Sequence, residues 1–371
     1  MKSERIDISK FKKDSKFYGE IHLTLTIKDF DLRSIQERYI KSQNNVSGRS
    51  GSVNRRSVSI GGLATLKIQN SNITDKIILA KFPEPRGLDK KQDIFAFSSN
   101  NVVYVLTKNQ IKIIRNKWFS YIHTVEISSD RKNILISSSG YDSFFEFDIK
   151  TEEKKMEWFA WENGFSESYN PRTGEKFVLT RDEMLAKKMQ LKNKKCILIS
   201  DPKNYVLPTA MRAAFINSVS YDKNNPNKAL ATFFHMGTVN QIDLNSGKSK
   251  VILSNLVKPH GGQNFKNIYL ATSTGSGEIV LGDKNSEHRF YVSKLSGKPD
   301  HLKDIEWLQN TQFIGKYLVA IDSNRTSFII IDQEKKLYDL INYDKNWAVQ
   351  DITEGAISPL QKNLLKSIDN K

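Results

Sequence analysis

Along most of the chain, hydrophobic and polar positions alternate in short runs broken by turn residues. The clearest stretch is Phe215–Phe265. There, apolar runs at Ile216–Tyr221, Ala229–Phe234, Val239–Ile242 and Val251–Leu253 are separated by DKNNPNK, HMG and NSGK. Short runs at this even spacing, with turn chemistry between them, predict one four-stranded antiparallel sheet. LVKPHGG then opens what reads as the next unit.

The pattern recurs. Aligned on their first strands, segments begin EPRGLDKKQ at Glu84, IHTVEISSD at Ile122, INSVSYDKN at Ile216, PHGGQNFKN at Pro259, KDIEWLQNT at Lys303 and NWAVQDITE at Asn346. Most starts lie 38 to 44 residues apart, the period of a propeller blade rather than of a sandwich. The predicted fold is an all-β propeller of six blades, each of four antiparallel strands, or seven if residues 162–212 form a divergent blade rather than an insertion. The last copy shows only a first strand, Trp347–Ile352. Strands at Gly19–Ile27, Ser57–Ile68 and Lys76–Phe82 would complete it, so that N- and C-terminal strands close the ring and leave no open edge. The propeller then spans 19–353. Residues 1–18 read as a loose basic arm, 31–57 as a mobile Ser/Asn/Gly/Arg-rich loop, and 354–371 as a C-terminal tail outside the ring.

Composition narrows the function classes. The 371 residues carry one cysteine, Cys196, which excludes an internal disulfide and points to a reducing, cytoplasmic setting. No uncharged apolar run is long enough to span a bilayer, so no membrane partner is expected. The net charge of +16 is spread along the chain apart from clusters at Lys10–Lys16 and Arg49–Arg56. Spread charge sets solubility and encounter rate, and nucleic-acid binding is not the expectation.

In a propeller the starts of the inner strands share one rim with the turns between second and third strands. The inner starts supply Arg86, His123, Asn217, His260, Lys303 and Trp347. The turns supply Tyr141, Asp142, His235, Thr274, Asn324 and Arg325. His123 and His260 are the candidate acid/base residues, since imidazole titrates near neutrality. Arg86, Lys303 and Arg325 would hold an anion, with Asn217, His235 and Asp142 as further ligand-binding groups. Trp158 and Trp161 read as packing between blades, and SGRSGS at Ser47–Ser52 lacks the spacing of a phosphate loop.

The repeats resemble a six-bladed propeller group that includes gluconolactonase-like and senescence-marker-like lactonases, strictosidine synthase-like proteins and arylsulfotransferases. The resemblance is carried by INSVSYDKNNPNKAL, IDLNSGKSKVILSNLVKPHG and HTVEISSDRKNILISSSGYDSFFEFDI, and extends over about 84–352. In the lactonase-like group a central divalent metal, usually calcium, is held by Glu, Asn and Asp. The resemblance implies Glu84 and Asn217 as two ligands, with His260 where the Asp is expected. The metal would then be calcium or a transition metal. The sulfotransferase-like group implies channel histidines, a position His123 matches; Ile216 stands where a second would precede Asn217. The expected function is binding or conversion of a small anionic or peptide-like ligand in the central funnel, by a lactonase-like hydrolase or arylsulfotransferase-like transferase if an enzyme. The alternative is a non-catalytic protein-interaction scaffold.

Overall fold

The computed structural model describes residues 2–43, 45–54 and 57–369, without the side chains of Lys2 and Asp369. Five four-stranded units follow one another. Their inner strands are Pro85–Lys91 (blade 1), Ile122–Ile127 (blade 2), Ile216–Tyr221 (blade 3), Pro259–Phe265 (blade 4) and Leu308–Ile314 (blade 5). The sixth pairs Val349–Glu354 with Glu20–Ile27, followed by Ile60–Gln69 and Asn72–Pro83. The inner strands adjoin in the order 1 to 6 and back to 1, which makes a six-bladed β-propeller closed by strands from both chain ends.

Residues 162–212 are an insertion. Glu167–Tyr169, Lys176–Thr180 and Cys196–Leu198 form a small sheet of their own, with a helix at Glu183–Leu191, while the inner strands of blades 2 and 3 adjoin directly. Of the expected loose arm at 1–18, residues 2–18 are described, and they are docked. Lys2–Asp7 pairs in parallel with Ser286–Tyr291 on the outer edge of blade 4, and Lys12–Lys13 pairs with the outer edge of blade 5. Ile8 and Phe11 are buried between the two. An uncovered outer strand offers unpaired N–H and C=O groups, and this segment satisfies two such edges. The expected loop at 31–57 contains a helix, Leu32–Lys41, started by Asp31, whose carboxylate accepts from the Ser34 N–H. Asn44, Arg55 and Arg56 lie outside the described residues. The C-terminal helix Pro359–Asp369 packs on Asn72–Pro83 and buries Leu365. None of the described helices is long and apolar enough to cross a membrane.

Blade-to-blade contact near the axis runs through side chains. Inner strands lean apart, so their backbone groups need side-chain partners. Asp89 accepts from the Ile127 N–H at 2.8 Å, Glu126 from Tyr221 at 2.6 Å, and Asp351 from Leu88 at 3.4 Å. Asn217 Nδ2 donates to the Pro259 carbonyl at 2.7 Å, Gln263 Nε2 to the Thr311 carbonyl at 3.1 Å, and Asn310 Nδ2 to Asp351 Oδ1 at 2.7 Å. Each of the six seams is tied.

Burial raises the Asp351 carboxyl from 3.8 to about 7, against the hydrogen bonds from Ile352, Asn310, Leu88 and Gln312 that favour the anion. A folded pKa above the unfolded one means that the folded state holds the extra proton between pH 4 and 7, so this group's contribution to stability falls as pH rises through that window. Asp351→Asn is therefore expected to gain on the parent by on the order of 3 kcal/mol between pH 4 and pH 8. Urea midpoints of both proteins across that range check it, and parallel profiles would refute it.

Candidate functional site

Six side chains ring the axis, one per blade. Arg86, His123, Asn217, His260, Gln309 and Gln350 are each the second residue of an inner strand. All six inner strands lose antiparallel register at or just after this residue. A bulge at the same place in each blade re-aims one side chain toward the axis. Three cavities meet around the ring. The upper one, about 180 Å³, is lined by ring residues and by two insertions between strands, the helix-bearing segment that follows Glu20–Ile27 and residues 162–212. A waist of about 10 Å³ lies among His123, Asn217, His260, Gln309 and Gln350. The lower mouth, about 230 Å³, carries Asp89, Glu126, Asp351 and Glu354 with three lysines.

The segment expected to be mobile covers the upper cavity. Tyr39 of the helix Leu32–Lys41 stacks on Trp307, with ring centroids 4.4 Å apart, and donates its hydroxyl to the Glu306 carbonyl at 3.2 Å. Gln36 donates to the Ser323 carbonyl at 2.9 Å, and Lys258 bonds Gln43. The SGRSGS stretch follows. Arg49 donates to the carbonyls of Arg212 and Ala213 at 2.6 and 2.9 Å and lies over the Tyr169 ring. Here the two insertions touch: a Cβ on Gly51, whose φ is +131°, would sit 2.8 Å from Thr209 Cγ2 and 3.0 Å from the Ala210 nitrogen.

Arg212 enters from the second insertion. It is buried between Tyr121 and Phe215, its guanidinium 4.7 Å from each ring centroid. Lys28, Arg38, Arg86 and Arg212 line the upper cavity, and no carboxylate does so among the described residues. Tyr39, Tyr121, Phe215, Phe234 and Trp307 supply the walls.

The histidines sit in a field that keeps them neutral. Burial, then Arg86, holds His123 well below its usual range. Its Nδ1 lies 3.0 Å from the Tyr121 carbonyl and its Nε2 3.3 Å from Arg86 Nη1. The carbonyl only accepts and the guanidinium only donates, so the proton is on Nδ1 and the Nε2 lone pair is taken by Arg86. Burial and Lys28 lower His260 to about 3; its Nδ1 bonds Thr274 Oγ1 at 2.8 Å. Burial and Arg49 lower His235 to about 3. Its Nε2 donates to the Thr209 carbonyl at 3.0 Å, so His235 fastens the insertion and does not line the cavity. Burial and the neighbouring cations thus bias all three imidazoles toward the neutral form.

Of the sequence-selected residues, Arg86, His123, Asn217 and His260 come together at the ring, and Asp142, Arg325, Lys303, Trp347 and Glu84 join them no more than His235 does. Asp142 is buried and accepts from the N–H groups of Ala213 and Phe215 and from Trp161 Nε1, so it anchors the insertion rather than a ligand. Arg325 pairs with Asp322 at 2.7 Å and donates to the carbonyls of Val292 and Leu295, stapling blades 4 and 5. Lys303 is exposed in the loop before blade 5, and Trp347 packs under Lys76. Glu84 lies 3.5 Å from Arg86 and does not line the waist, so Glu84, Asn217 and His260 do not form the ligand set of one metal. Among the described residues, no group of three His, Cys, Asp or Glu side chains is placed to hold a metal ion. Gln309, Gln350, Arg212, Lys28 and the covering helix are the parts that sequence reasoning missed. Gln309 and Gln350 carry a detectable signal, a polar residue second in its strand followed by a small or polar one, as in Arg-Gly, His-Thr, Asn-Ser and His-Gly.

The fold and ring define the class: a six-bladed β-propeller with a covered, cationic funnel. No protein-family model matches the chain, and no curated relative matches it. Among solved structures, a chain of the nidogen/laminin complex is similar with a TM-score of 0.54 and 9% identity, over 91% of this chain and 99% of that one. A protein of unknown function from Bacteroides caccae gives 0.51 and 12%, over 91% and 99%. Virginiamycin B lyase from Staphylococcus aureus gives 0.41 and 10%, over 75% and 72%. At these identities the likeness is one of fold.

Proposed function

We propose that the protein binds a small organic anion with a flat or aromatic body in the covered funnel. The observation that carries this reading is the lining of the upper cavity, with four cations, five aromatic rings and no carboxylate among the described residues. Cations held on aromatic faces and removed from bulk water attract an anion more strongly than surface lysines do. The ring amides offer hydrogen bonds alone, and the histidines, held toward the neutral form, are disfavoured as general acids, which supports binding ahead of general-acid turnover. The lactonase-like reading would need a metal on Glu84, Asn217 and His260. Glu84 stands beside Arg86, whose positive charge disfavours a metal cation on that carboxylate.

Calorimetric titration with benzoate, phenyl phosphate and benzylamine tests this. The two anions are expected to bind and the amine is not. Lys28→Met is expected to weaken anion binding about tenfold, the loss of one charge-assisted hydrogen bond. Equal binding of the amine, or an unchanged affinity in Lys28→Met, would overturn the reading.

A further inference from the structure

Below the cations, the ring leaves two amides with unmet hydrogen-bonding capacity. Gln350 is 5% exposed and lines both the upper cavity and the waist, and its side-chain Oε1 has no hydrogen-bond partner among the described residues. Asn217 is 1% exposed and also lines the waist. Its Nδ2 is committed to the Pro259 carbonyl, which can only accept, so the amide cannot be flipped and its Oδ1 is left without a partner. In ring order Asn217 and Gln350 belong to blades 3 and 6, which face each other across the axis. Buried acceptors without partners are uncommon, and two beside one cavity call for a donor. The waist admits one water-sized group and nothing larger. Lys28, Arg86 and Arg212 nearby disfavour a metal cation there and leave a neutral or weakly basic donor as the fitting occupant.

We infer that the funnel's ligand carries, at the end away from its anionic group, a hydroxyl or amino substituent that enters the waist and donates to the amide oxygen of Gln350, an amino group having a second N–H for Asn217 Oδ1. This rests on the anion-binding reading above and makes it narrower: the ligand class is a hydroxy- or amino-substituted planar acid. Neighbouring Gln309 is already engaged, its Oε1 accepting from Trp307 Nε1 at 3.0 Å, which leaves the other two as the selective pair.

The test uses matched pairs, benzoate with 4-hydroxybenzoate and phenylacetate with 4-hydroxyphenylacetate, titrated by calorimetry into the full chain and into Gln350→Leu. The Gln350 side chain makes no hydrogen bond with the described residues, so its replacement is expected to leave the fold intact, and a thermal melt verifies this. In the parent, the hydroxylated acid of at least one pair is expected to bind roughly tenfold or more tightly than its partner. In Gln350→Leu that ratio should collapse toward one. Equal binding within both pairs in the parent would overturn the inference and leave the anion reading standing. Binding by none of the four acids would overturn both. A preference that persists in Gln350→Leu would place the hydroxyl elsewhere and also overturn it. Should Gln350→Leu fail to fold, Gln350→Glu serves: its carboxylate keeps an acceptor for the hydroxyl, so the ratio should survive, and its loss would count against the inference.

Discussion

Asp142→Ala should lower stability by about 4 kcal/mol. Asp142 is buried and adopts φ 51°, a left-handed conformation that Asp and Asn tolerate better than Ala. Its carboxylate accepts from the Ala213 N–H at 2.7 Å, from Trp161 Nε1 at 3.0 Å and from the Phe215 N–H. Truncation would leave three buried donors unsatisfied, each costing about 1–3 kcal/mol before relaxation. It would also remove a buried carboxylate that interacts electrostatically with Arg212. Because Ala213 and Phe215 join the insertion to blade 3, the funnel wall should loosen together with the fold, and ligand affinity should fall in parallel. Asp142→Asn keeps the left-handed preference and one acceptor oxygen, and should lose roughly half as much. Urea unfolding of the three proteins decides the matter through the shift in midpoint at constant slope. A loss below about 1 kcal/mol for Asp142→Ala would show that water replaces the carboxylate.

Gly87→Ala should be nearly as damaging, for a steric reason. Gly87 follows the ring residue of blade 1, where its backbone crosses close to blade 2. A Cβ there would lie 2.5 Å from Thr124 Cα and 2.8 Å from the His123 carbonyl oxygen. Both are backbone atoms, so no side chain can swing aside, and the inner strands must separate. Overpacking of this kind costs about 1–3 kcal/mol, and the rigid neighbour argues for the upper end. The displacement would also move His123 relative to Arg86, so benzoate binding should be lost even where the protein stays folded. Gly164→Ala is the control. Its φ is +89° but nothing lies within 4 Å of the added carbon, so only the conformational cost of about 1 kcal/mol applies. If the two variants melt alike, close approach is not what requires glycine at position 87.

Much of the propeller can be read from the chain because a blade is a local object. Runs such as Ile216–Tyr221 and Lys228–Phe233 pair with their sequence neighbours, and the turn residues between them mark the period. Ring residues in blades 1 to 4 were legible for the same reason. In blades 5 and 6 the strands begin at Leu308 and Val349, later than the apolar cues around Ile305 and Trp347 suggested, and the misplaced starts hid Gln309 and Gln350. Asp142 and Arg325 look like rim residues in a repeat alignment because polarity says nothing about which way a turn residue faces. Both prove to be buried ties between neighbouring segments. The upper cavity was hardest to foresee. Its cover comes from 31–54 and its Arg212 from a second insertion, and their meeting over the axis depends on contacts such as Arg49 with the Ala213 carbonyl. Such pairings have no period and leave no signature in either segment alone.

The sixth blade sets the order of assembly. Its inner strand Val349–Glu354 belongs to the far end of the chain and must find Glu20–Ile27 near the start. Five blades can form as local units as they are synthesised, but the circle stays open until this last strand arrives. Contacts between residues so distant in sequence form slowly, because the entropy of loop closure comes before any reward. During that interval Glu20–Ile27 offers an unfilled edge on the side where its partner should dock. A second chain carries the same missing strand, so concentrated refolding should exchange Val349–Glu354 between molecules and yield interlocked dimers, whereas dilute refolding should close each ring on itself.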